Sequence, residues 1–242
     1  MMKYGMLWLI CLAFTPLSGF ADSRGVPVYF DMGSEEKARF GEARDPAFLT
    51  ARDFAGLISA EREFLGYIGP DYTRLHIGFT ELHPEKEGRP AVRVSGYLRV
   101  DDVYCEMDGL IRAERSHDLK QLDYGVDNKH RDAGIKRQGM LFGSYELKTS
   151  GDKPCKGSLA GRNRVSWMLM DDGSVKRNDI GNVRFLHGDN QYAGVWQRDL
   201  EKDPVTVNWG EYRIPFARPE LDIGAGEFSV NPDYRDHGWQ DF

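Results

Sequence analysis

Between Thr50 and Gly66 the apolar residues Phe54, Leu57, Ile58 and Leu65 recur at helical spacing. Thr50-Ala51-Arg52-Asp53 has the form of a capping box with Asp in place of the usual Glu, and Gly66 followed by Gly69-Pro70 ends the run. The pattern predicts one amphipathic helix over about residues 50–65. Its polar face is not rich in Lys or Arg, which fits a helix covering a β core better than one lying on a membrane.

From residue 73 the period changes to two. Leu75, Ile77 and Phe79 alternate with polar positions. Val92, Val94, Leu98 and Val100 share one face while Arg93, Ser95, Tyr97 and Arg99 share the other. Cys105, Met107, Ile111 and Ala113 continue the alternation, followed by Leu141, Tyr145 and Leu147, then Leu159, Val165, Trp167 and Leu169. Asp172-Gly173 reads as a hairpin turn. Tyr192, Gly194 and Trp196 form another set, and Val205, Val207 and Trp209 the last. Seven or eight short strands at hairpin-length gaps, with no helical crossover between them, predict an all-β fold with one leading α-helix. The expected form is an antiparallel meander, because closure removes exposed edges: β-barrel-like, or a tightly curved sandwich.

Two stretches lie outside this pattern. Residues 22–47, with Gly25, Pro27, Gly33, Gly41 and Pro46, read as an irregular lead-in. Residues 114–139 are charged and nearly devoid of apolar side chains, and their acidic residues lack calcium-loop spacing, so a solvated connection is expected.

Candidate chemistry concentrates in the last third. Trp196, Trp209, Glu211, Tyr212, Arg213, Asp222 and Glu227 bring aromatic faces beside one cation and several carboxylates, a set able to bind a sugar, a polar head group or a partner loop. The same residues also suit a structural role, with Arg213 on the inward parity of Val205, Val207 and Trp209. It would pair with Asp222 or Glu227 and pin the tail across the barrel mouth. Nucleophile-elbow, P-loop and zinc-protease signatures are missing. Histidines 76, 83, 117, 130, 187 and 237 stand singly, so no catalytic set, metal site or cofactor is expected.

Trp209-Gly210-x-Tyr212-Arg213-Ile214-Pro215, then Asp222-Ile223-Gly224-Ala225-Gly226-Glu227-Phe228 and the terminal Gly238-Trp239, resemble the closing segment of a family of uncharacterised exported bacterial proteins. The resemblance covers residues 192–239 and, more loosely, 90–113 through Tyr97-x-x-Val100 and Cys105-x-x-x-Gly109. It implies an exported β-rich protein whose terminal segment is part of the domain, and it implies no activity.

Composition narrows the picture. The 242 residues carry 32 Lys+Arg against 38 Asp+Glu, a net charge of −6 without a basic stripe, which argues against a nucleic-acid partner. Lys3, an apolar run from Met6 to Phe14, and small residues Gly19 and Ala21 read as a signal peptide over 1–21, too short to anchor in a bilayer. A single domain over 22–242 would follow, with an ordered C-terminal segment from about 208, in the periplasm or secreted. No transmembrane segment would remain after processing. Cys105 and Cys155 are the pair such a chain would oxidise, closing a loop of about 50 residues worth ~3–4 kcal/mol.

These readings lead to an exported, non-enzymatic binding protein of the bacterial envelope that uses the barrel mouth for a small or extended ligand, its partner being an unknown small molecule or protein. One alternative is a periplasmic protein-interaction module of inhibitor or immunity type. The other is a hydrolase using Glu211, Asp222 or Glu227 as paired carboxylates.

Overall fold

The period-two segments pair with one another in chain order. In the computed structural model, which describes residues 30, 32–180 and 190–241, they form β1 (Phe64–Ile68), β2 (Thr73–Pro84), β3 (Ala91–Val100), β4 (Val103–Asp118), β5 (Ile135–Ser150), β6 (Gly157–Met170), β7 (Val175–Arg177), β8 (Gln191–Arg198) and β9 (Val205–Gly210). Each strand is antiparallel to its neighbour. β6 pairs with β8 along one stretch and with short β7 further on, and β9 returns to β1. The result is a closed, eight-stranded, up-and-down barrel with β7 appended. Among the described residues no helix is long and apolar enough to cross a membrane. The expected signal segment, 1–21, lies outside the described residues.

The lumen is a packed core rather than a channel. Phe64, Leu75, Ile77, Val92, Val94, Leu98, Ile111, Leu147, Leu159, Val165, Trp167, Trp196, Val207 and Trp209 all belong to one buried cluster. An eight-stranded barrel is just wide enough for side chains to fill. Here several of the largest fit because a cross-strand partner is a glycine, as Gly66 is for Trp209 and Gly139 for Trp167. Tyr145 lies opposite Gly161, which in turn lies opposite Gly194, and a Cβ at either glycine would come within 2.6 or 2.4 Å of the Tyr145 hydroxyl. Arg93, Glu106, Asp108, Arg112, Glu146 and Lys148 are exposed on the outside. Apolar in and polar out is the reverse of a lipid-facing barrel.

One end of the barrel is stoppered by a helix and the other by tight hairpins. Helix α1 (Ser34–Arg39) lies in the lead-in, and α2 (Ala51–Ile58) begins at the predicted capping box. Asp53 N–H donates to Thr50 Oγ1, and Thr50 N–H donates to Asp53 Oδ2. Phe54, Leu57 and Ile58 of α2 enter the core. At the opposite end, Cys105 on β4 and Cys155 in the β5–β6 connection are disulfide-bonded, with Cα atoms 5.3 Å apart.

Two expectations need correction. The helix predicted over 50–65 stops at Ile58, and Leu65 belongs to β1. Segment 64–68 is flanked on one side by β2 and on the other by β9, and their hydrogen bonds override the helical spacing of its apolar residues. The charged stretch 114–139 is shorter as a connection than expected, because β4 runs to Asp118 and β5 starts at Ile135. What remains is anchored: Gln138 exchanges two hydrogen bonds with the Asp123 backbone, and Leu122 and Tyr124 pack beside Ile135, Met168 and Ile180.

Segments from both ends of the chain sheathe the outer wall. Phe30, Met32 and Phe40 cover Met140 and Phe142 of β5 and Ala193 of β8, while Arg44 pairs with Ser116 at the end of β4. From Ile214 onward the tail covers β1 and β2: Leu221, Phe228, Val230 and Trp239 pack on Tyr67, and the Arg74 guanidinium lies 4.6 Å from the Trp239 ring centroid.

Candidate functional site

The predicted C-terminal cluster is divided among three places. Trp196 and Trp209 are in the lumen, where Trp196 Nε1 donates to Thr149 Oγ1 and Trp209 stacks on Tyr192 at 5.0 Å. Glu211 accepts from Arg177, which also donates to the carbonyl of Ser59, so this pair holds the C-terminal end of α2 over the barrel. Arg213 meets the Asp222 carboxylate at 3.2 Å and donates to the carbonyls of Gly224 and Glu227. Tyr212 is 61% exposed.

Arg213 therefore pairs with Asp222 as the sequence suggested, but as a clip on the outer wall, not across the mouth. The inward parity ends at Gly210. A Cβ there would stand 2.2 Å from the Arg213 carbonyl, so the chain turns back on itself too sharply for any side chain. Asp222 is further occupied by the backbone amides of Gly224 and Ser229. Glu211 and Asp222 each face their own arginine.

A second constellation, one the sequence reading did not single out, forms on the outer faces of β2, β3 and β4. Glu63, just before β1, gathers three groups. His76 Nδ1 donates to its Oε1 at 2.6 Å, Tyr97 Oη donates to its Oε2 at 2.9 Å, and Arg74 Nη2 lies 3.8 Å from Oε1. Cross-strand register brings the set together, with His76 opposite Arg99, Arg99 opposite Tyr104, and Gly78 opposite Tyr97. Gly78 is the local device. A Cβ there would sit 2.9 Å from the Tyr97 ring, so only glycine lets Tyr97 lie across β2 to reach Glu63.

The environment tunes these groups. Burial pushes the Tyr97 phenol up to about 12, and its hydrogen bond to Glu63 adds in the same direction. Burial lowers Arg74 to about 10, against the opposing pull of Glu63. Tyr97 and Tyr104 stack at 5.5 Å with 18° between their planes, and Tyr104 is 56% exposed. Arg99 bonds the Asp101 carbonyl at 3.2 Å. The cluster thus offers an aromatic ledge, a guanidinium and an imidazole whose Nε2 has no partner among the described residues.

Beyond Trp239, this wall is left bare by the described residues of the two terminal segments. A shallow open depression of about 430 Å³ lies at its edge on the β2–β3 hairpin, lined by His83, Pro84, Glu85, Lys86, Glu87 and Arg93. Glu85 already pairs with Arg93 there at 3.0 Å, and His83 with Glu81 at 2.9 Å. No family model, curated protein or solved structure matches the chain.

Proposed function

We propose that the protein is an exported, non-enzymatic interaction module whose contact face is the outer wall of β2, β3 and β4. One observation carries this reading: a hydrogen-bonded set of Glu63, His76 and Tyr97, ending in the Tyr97–Tyr104 ledge, stands on a part of the barrel that the described residues of the two terminal segments do not cover. Tyrosine and arginine are the side chains that most often dominate binding at protein interfaces, and a set already held by internal bonds loses little entropy on docking. The packed lumen and the α2 stopper weigh against a sizeable ligand at the barrel mouth, which moves the interaction reading ahead of the small-molecule one. Export is supported by the Cys105–Cys155 disulfide together with the leader-like sequence of residues 1–21.

The test is a photo-crosslinking side chain placed at Glu106, opposite Tyr97 on the bare wall, in cells that produce the full chain. A discrete adduct is expected at Glu106 and none from the same side chain at Ile223, which is also exposed but on the tail. Equal adducts at both positions, or none at Glu106, would reject the wall as a contact face.

A further inference from the structure

On the outer faces of β3 and β4, some charges are paired and others are left over. Arg93 bonds Glu85 at 3.0 Å and Arg112 meets Glu146 at 3.9 Å. Arg99 reaches only the backbone carbonyl of Asp101. The exposed Glu106 side chain has no hydrogen bond or ion pair among the described residues.

The register shows why these two do not pair with each other. Arg99 lies opposite Tyr104 and Tyr97 opposite Glu106, so the four residues form one cell of the ladder. The tyrosines occupy one diagonal of the cell and stack along it, ring centroids 5.5 Å apart. Arg99 and Glu106 occupy the other diagonal, with the stacked rings between them. His76, opposite Arg99 on β2, extends the basic side, and Asp108, the next outward residue of β4, extends the acidic side. Glu63 also stands on the basic side, but its carboxylate is already committed to His76 and Tyr97.

Such a cell is complementary to itself. A half-turn about the line through the two tyrosines exchanges its basic and acidic sides. It brings Arg99 of a second copy over Glu106 of the first, and Glu106 of the second over Arg99 of the first. Self-complementarity of this kind is what an isologous two-fold interface requires.

We infer that the partner of this wall is a second copy of the chain, docked face to face about a two-fold axis along the Tyr97–Tyr104 ledge. Each Arg99 then pairs with Glu106 of the other copy, and the rings of both copies meet at the centre. The inference rests on the reading of the wall as the contact face, and it names the partner. An aromatic centre flanked by charged pairs matches the usual division of an interface into core and rim. A different partner would have to present a carboxylate and a cation in matching places, whereas a second copy supplies both.

The experiment is sedimentation velocity on the full, disulfide-bonded chain and on two charge reversals, Arg99→Glu and Glu106→Arg. The parent is expected to dimerise. Each reversal alone should weaken the dimer by about tenfold or more, because the symmetric contact then brings like charges together twice. Mixed in equal amounts, the two variants regain both pairs in a heterodimer, and association should return towards that of the parent. A parent that stays monomeric up to the concentration limit of the measurement would overturn the inference. So would single reversals that associate as tightly as the parent, or a mixture no tighter than either variant alone. Should a reversal fail to fold, Arg99→Gln and Glu106→Gln take its place. Each loses both pairs, their mixture regains one, and a mixture no tighter than its components overturns the inference equally. Crosslinking at position 106 separates this inference from the reading beneath it. An adduct whose mass differs from two chains overturns the second copy but keeps the wall as a contact face, while the absence of any adduct rejects both.

Discussion

Inside the barrel, tyrosine and tryptophan meet mainly one another: Tyr192 stacks on Trp209, Tyr145 packs edge-on against both, and Phe64 adds a further edge. On the bare wall, Tyr97 also stacks on a neighbour, Tyr104, yet its hydroxyl is committed to a carboxylate that also accepts from His76. The residue types are nearly the same. What differs is the environment: closure makes one set a core, and the other stands on an outer face that the described residues leave open. Aromatic density along a sequence therefore marks packing at least as readily as recognition, and the polar partner of each ring distinguishes the two.

The strongest way to break this comparison is Trp209→Ala. If the lumen set is core, removing a fully buried indole that touches Tyr145 and Tyr192 should cost about 3–5 kcal/mol in denaturant unfolding. A cost below about 1 kcal/mol would show that the lumen rings are not supporting one another.

Arg213→Ala comes next, because the tail clip lies between the two environments. The side chains of Arg213 and Asp222 are 22% and 10% exposed, so the 3–5 kcal/mol of a fully buried broken pair is reduced by solvent screening. A loss of about 1–3 kcal/mol is expected, accompanied by faster proteolysis near Gly224, whose carbonyl loses its donor. A change below about 0.5 kcal/mol would mean that the tail does not need its clip.

The division between legible and illegible parts follows from how far apart the deciding residues lie. Val205, Val207 and Trp209 announced β9 because burial of one face needs only alternation, and Asp172-Gly173 announced its turn because Gly173 takes φ +84° locally. Segment 64–68 misled because its strand state is imposed by β2 and β9, the latter about 140 residues away in sequence. The wall cluster was hidden for the same reason. Glu63, His76, Tyr97 and Tyr104 span four segments, and only the register of β2, β3 and β4 brings them onto one face. Gly78 was the available signal, a glycine inside an alternating strand, which marks a place where another chain element comes close.

Glu63→Gln sharpens the wall side of the comparison. The phenol of Tyr97 is raised to about 12 by burial and then by Glu63, so its protonated form is the one favoured in the folded protein. That contribution is complete below pH 10 and is lost as pH rises from 10 towards 12. Removing the Glu63 charge should move the Tyr97 titration, followed by ¹³C-labelled tyrosine resonances, back towards 10. The stability cost near neutral pH should stay under about 1 kcal/mol, since the cluster faces solvent. A Tyr97 midpoint that does not move would mean the two side chains are not bonded in solution.

The smallest structural effect, and the most informative about function, is expected of Tyr104→Ala. Tyr104 contributes its ring to the ledge and little to the core, so unfolding should change by less than about 0.5 kcal/mol. Partner capture, read as the yield of the adduct formed through position 106, should nevertheless fall by about tenfold or more, as when an aromatic anchor is removed from an interface. Tyr212→Ala supplies the matched control: 61% exposed, on the tail, and equally dispensable for stability. Loss of the adduct in Tyr104→Ala with retention in Tyr212→Ala assigns recognition to the wall. Loss in both would show that exposed aromatic area in general governs capture, and the distinction between wall and tail would no longer hold.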